Sequence, residues 1–182
     1  MADSIKIAGS VDMAGSIKMP DSILPAVEVS IAESINVEDD EVPPPRLLKK
    51  WVTTASKASL SALPIMVSLR ITDEEEIQQL NYQFRQKNQP TNVLSFPLQK
   101  MDEAVMADMN YLILGDIVLC ATVIKQQAKD QGKTTLSHWA HMVIHGMLHL
   151  QGYDHIQADQ AEQMEQLEIS LLNKLGYINP YQ

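Results

Sequence analysis

The chain has one cysteine, Cys120, in 182 residues, which excludes an internal disulfide and any zinc framework built from thiolates. A metal held here must take His, Asp or Glu. Aromatic residues are sparse, and the longest apolar stretch, Tyr111 to Ile124, is broken by Gly115 and Asp116, so no membrane span is expected. Basic residues are also in the minority, with 14 Lys and Arg against 23 Asp and Glu. A general nucleic-acid coat protein draws its affinity from Lys and Arg displacing counterions, and this balance excludes that class. The opening Met-Ala-Asp-Ser-Ile-Lys lacks a basic segment followed by an unbroken apolar one, so the expected address is cytoplasmic.

The net charge of −9 is unevenly placed: residues 1–42 carry two Lys against nine acids, and the remainder is nearly neutral. That leaves room for a local basic surface, although Arg46, Lys49, Lys50 and Lys57 read as the solvated face of an amphipathic helix. Length and composition fit a single domain over residues 25–182. Residues 1–24 repeat Asp/Gly-Ser-Ile in an echo too short to form a structural repeat, and are expected to be a flexible extension.

Along the body, Ala26 to Ile31 suggests an edge strand, followed by an exposed, stiff connection containing Pro43-Pro-Pro. Leu47, Leu48, Trp51, Val52 and Ala55 fall at helical spacing, and Ile65, Val67, Leu69 and Ile71 alternate as in a strand. Thr72 and Glu75 form a capping-box pattern, opening a helix that turns Ile77, Leu80 and Phe84 inward and ends near Arg85. Short strands are expected at Val93–Phe96 and Tyr111–Cys120, with a loop over residues 100–110. Three helices follow: Ala121–Gln131 closed by Gly132, one capped by Thr135 and running to about Leu150, and one opened by Asp159 and Glu162. The last carries Met164, Leu167, Leu171 and Leu175. The order predicts an α+β fold, about four strands in a small mixed sheet against about five helices.

All five histidines, His138, His141, His145, His149 and His155, lie within eighteen residues. His145 and His149 are four apart on an expected helix, so their rings stand one turn apart on one face, and Gly152 turns the chain so that His155 can return. Three neutral imidazoles leave a fourth tetrahedral position open, as a catalytic rather than a structural zinc requires. The bland alternative is a pair of ordinary, partly buried histidines. His138 and His141 extend the stripe backwards and are expected at the surface or behind the ligands. The spacing equals that of the metzincin proteases, H-E-x-x-H-x-x-G-x-x-H, except that Gly146 stands where the peptidase has its Glu base. Losing such a base typically forfeits about 10²–10⁴ in rate, so the same cage should serve other chemistry.

The run His145-Gly-Met-Leu-His-Leu-Gln-Gly-Tyr-Asp-His155 resembles the signature H-G-x-L-H-L-x-G-Y-D-H of the bacterial YbeY family. Pro90-Thr-Asn-Val-Leu-Ser-Phe-Pro97 and Leu114-Gly-Asp-Ile resemble its two other blocks, in the same order. The resemblance implies a zinc-dependent, single-strand-specific endoribonuclease of small-subunit ribosomal RNA maturation and ribosome quality control, with one zinc ion on His145, His149 and His155. It also places the family's functional arginine at Arg85, so that Arg85 and His145 are the residues expected to act at phosphorus. A guanidinium can hold a phosphodiester oxygen through two hydrogen bonds, while the bland reading of Arg85 is a helix C-terminal cation. Asn92 stands where many members carry Asp. Implied partners are single-stranded or ribosomal RNA and the ribosome or its small-subunit proteins.

Asp154 either orients a ligand ring or stabilises the turn. Two other classes compete: a zinc peptidase or amidase using Glu162 or Asp116 as base, and a ribosome-assembly binding module with a structural metal.

Overall fold

The computed structural model describes residues 25–56, 63–98, 111–155 and 157–182; residues 1–24, Lys57 and the loop expected over 100–110 lie outside the described residues. The elements run β1 (Ala26–Ile31), α1 (Pro45–Ser56), β2 (Ile65–Thr72), α2 (Glu74–Arg85), β3 (Val93–Pro97), β4 (Leu112–Cys120), α3 (Ala121–Asp130), α4 (Thr135–Leu150) and α5 (Ala158–Leu175). The strand order is β1-β2-β4-β3. The first three are mutually parallel and β3 runs antiparallel to β4, which gives the expected mixed sheet with β1 at one edge.

Period-two alternation sorts the side chains between two layers of helices. Ile65, Val67, Leu69 and Ile71 of β2 and Ile117 and Leu119 of β4 join Leu48, Trp51 and Val52 of α1 and the apolar faces of α4 and α5 in the main core. Leu94, Val118 and Cys120 point the other way and meet Ile77 of α2. Each such aliphatic side chain contributes about 1.5–3 kcal/mol on burial. The connection before α1 is less exposed than expected: Val42 and Pro43 are buried, and Lys125 of α3 pairs with Glu41.

Three local expectations shift. The cap of α2 is Asp73, whose carboxylate accepts from the Glu76 N–H at 2.9 Å. Thr72 is still in the ladder opposite Cys120, and its hydroxyl bonds Glu76 instead. The cap of α4 is Thr134 rather than Thr135, accepting from Ser137 N–H. Phe84 is 58% exposed instead of inward, because the last turn of α2 overhangs the edge strand β3 and meets Phe96 edge-on at 5.0 Å.

Candidate metal centre

Helix α4 steps through His138, His141, His145 and His149 at intervals of three, four and four, close to the helical period, so the four rings form one stripe. The helix ends at Leu150, Gly152 takes φ +89°, and the chain turns back to carry His155 towards the same place. The ring of His155 stacks on His145 with centroids 5.6 Å apart and meets His149 edge-on at 5.0 Å. One nitrogen from each of His145, His149 and His155 lies within 4.8 Å of the others.

The hydrogen bonds around these rings fix which nitrogen each one turns to its oxygen partner. His149 donates from Nδ1 to the Tyr153 carbonyl at 3.0 Å, and His145 donates from Nδ1 to Glu168 Oε1 at 2.7 Å. Neither oxygen can donate back, so each ring, when neutral, keeps its lone pair on Nε2. Those two Nε2 atoms face each other at 3.0 Å. Two lone pairs so placed repel unless a metal ion or a proton lies between them. A tetrahedral ion with metal–nitrogen bonds of about 2.0–2.1 Å holds its ligand nitrogens about 3.3 Å apart, so the separation suits a shared metal. Burial first, and then the charges of His145 and His155, push the His149 pKa down to about 4, which leaves that ring neutral at pH 7.

His138 and His141 are buried rather than at the surface. His138 Nε2 bonds Gln127 Oε1 at 3.0 Å, and His141 Nε2 bonds Glu168 Oε2 at 3.1 Å. Asp154 accepts from the adjacent His155 backbone N–H at 2.8 Å. Glu162 accepts from Gln166 on the outer face of α5, and Asp116 is exposed on β4.

Glu168 is the residue that sequence reasoning missed. It is 1% exposed on α5 and bridges His141 and His145. A signal was available, because it occupies an apolar position of the stripe formed by Met164, Leu171 and Leu172. Burial raises its pKa, but the hydrogen bonds from His141 and His145 outweigh that and bring it to about 2, so it is a carboxylate.

Gly146 explains the absent protease base. A Cβ there would stand 2.9 Å from Ile117 Cγ2 and 3.2 Å from Ser95 Oγ, so α4 lies directly on the sheet and a Glu would be driven into it. Ser95 on β3 donates its hydroxyl to the Gly146 carbonyl at 3.3 Å, and the next residue, Phe96, meets Phe84. Arg85 follows Phe84 at the end of α2, so the edge strand lies between the histidines and Arg85. Its side chain is exposed and makes no hydrogen bond or ion pair with a described residue. It touches none of the histidines through such a bond.

The fold and site define an α+β protein with a three-histidine centre mounted on a helix–turn unit. A family model for endoribonuclease YbeY matches residues 32–176, most of the chain, and the chain belongs to that family. Among solved structures, the solution structure of TM1509 from Thermotoga maritima is 25% identical at a TM-score of 0.49, with 82% of this chain and 91% of that one covered.

Proposed function

We propose that residues 25–182 form a single zinc-dependent, single-strand-specific endoribonuclease domain that matures the 3′ end of 16S ribosomal RNA. The same activity serves late-stage 70S ribosome quality control in the cytoplasm. The observation that carries the metal is the approach of the His145 and His149 Nε2 atoms to 3.0 Å, with His155 alongside. Family membership supports the substrate class.

His145, His149 and His155 would hold one ion, and zinc suits three imidazoles with an open position. When bound, zinc supplies Lewis-acid polarisation of a phosphate oxygen and acidifies a coordinated water. Arg85, exposed and without a hydrogen bond or ion pair to a described residue, offers a two-pronged grip on the scissile phosphate and offsets the charge that develops at phosphorus. Gly146 brings no carboxylate, so the site suits a substrate that carries its own nucleophile, the RNA 2′-hydroxyl, and disfavours the peptidase reading. Single-strand preference follows from the need for unstacked bases to enter beside the sheet edge.

The test is cleavage of an end-labelled single-stranded RNA and its duplex by zinc-loaded wild type and by His149→Ala, with product ends identified. The expected result is cleavage of the single strand alone, cyclic-phosphate ends, and loss of at least about 10³-fold in the variant. Equal cutting by both proteins overturns the reading. No cutting by wild type, with metal bound, transfers it to the assembly-module class.

A further inference from the structure

The geometry points to Glu168 as a positioning residue for the centre: its carboxylate fixes the His145 ring so that Nε2 faces the metal, and His141 and Tyr181 lock the carboxylate in place. This rests on the metal-centre reading above. Glu168 sits on the apolar stripe of α5 beside Met164, Leu171 and Leu172, where an unpaired carboxylate would be strongly disfavoured. It is instead paired three times: one oxygen accepts from His145 Nδ1, the other from His141 Nε2 and from the Tyr181 hydroxyl.

A carboxylate only accepts, so it admits a single tautomer of His145, the one with the proton on Nδ1. The opposite tautomer would put an N–H where the metal must bind. The arrangement also restrains ring rotation, because Nδ1 is tied at 2.7 Å while the Tyr153 carbonyl does the same for His149 at 3.0 Å. His141 contributes from behind: its Nε2 is spent on Glu168, and its Nδ1 is buried without a partner among the described residues. It therefore serves Glu168 rather than the ion. Helix α5 thus reaches the centre through Glu168 without supplying a ligand.

Full-length wild type, Glu168→Ala, Glu168→Gln and Tyr181→Phe would be titrated with Zn²⁺ in competition with a chromophoric chelator. Metal-free thermal unfolding and the His145 tautomer, from ¹⁵N–¹H NMR, would be measured alongside. Glu168→Ala should weaken Zn²⁺ binding about 10–100-fold, as loss of a hydrogen-bonding partner behind a ligand does, and should mix the two His145 tautomers. Glu168→Gln, of the same shape, should weaken it at least about threefold and decides the matter if the alanine variant does not fold. Tyr181→Phe should fall between Glu168→Gln and wild type. A folded Glu168 variant with wild-type affinity and a single His145 tautomer overturns the inference while leaving the three-histidine centre intact. Two ions per wild-type chain, one of them lost in Glu168→Ala, also overturns it, because the carboxylate would then be a ligand. Failure of wild type to bind Zn²⁺ overturns the metal centre itself.

Discussion

The two halves of α4 carry the same residue type on the same stripe and do different work with it. In the first half, His138 and His141 are buried, and each Nε2 is paired with a side-chain oxygen, from Gln127 of α3 and Glu168 of α5. In the second half, His145 and His149 turn Nδ1 to oxygen acceptors and leave Nε2 facing the turn that carries His155. What lies opposite decides which nitrogen is free. Which ring nitrogen a histidine at helical spacing leaves unpaired is thus set by a second element that the spacing does not contain.

The sharpest way to break this comparison is to remove one ring from each half. His149→Ala should cost at least about 10³-fold in RNA cleavage, whereas His138→Gln should leave cleavage within about threefold of wild type at pH 7. Arg85→Ala, across the edge strand, should lower kcat by about 10²–10³-fold. Because Arg85 makes no bond with a described residue, its melting temperature should stay within about 1 °C of wild type.

Acid should act on both halves with the same sign. Burial, followed by the charges of His141 and Lys133, pushes the His138 pKa down to about 4, against an ordinary value near 6.5. The folded state therefore binds fewer protons at this site than the unfolded chain does. Its contribution is present above pH 6.5 and is lost as pH falls through about 4, in total on the order of 3 kcal/mol. His149 titrates with the same sign when no metal is bound. Urea unfolding of metal-free protein should thus weaken across that window, and His138→Gln should flatten part of the fall but not all of it.

The smallest expected effect is Gly146→Ala. Crowding against Ile117 and Ser95 should cost about 1–3 kcal/mol, partly offset by about 0.8–1 kcal/mol of helix propensity. Melting temperature should fall by about 2–4 °C for each net kcal/mol lost.

Much of this was legible in the sequence. The β2 alternation, the α1 stripe and the turn at Gly152 are local patterns, and each appears where the spacing placed it. What was not legible depended on neighbours distant in sequence. Glu168 lies 23 residues beyond His145 on another helix, and only packing of α5 on α4 joins them. Phe84 matches an inward helical position, yet the sheet ends beneath it at β3, so the stripe runs off its support. The caps moved by one residue because Thr72 still belongs to the ladder and Thr134 precedes an equivalent Thr135.

The most direct test of the division within α4 is zinc stoichiometry, measured on wild type, His149→Ala and His138→Gln at pH 7. The account predicts one tightly bound ion in wild type and in His138→Gln, and none retained in His149→Ala. Loss of the ion from His138→Gln, or its retention with unchanged affinity in His149→Ala, would contradict it.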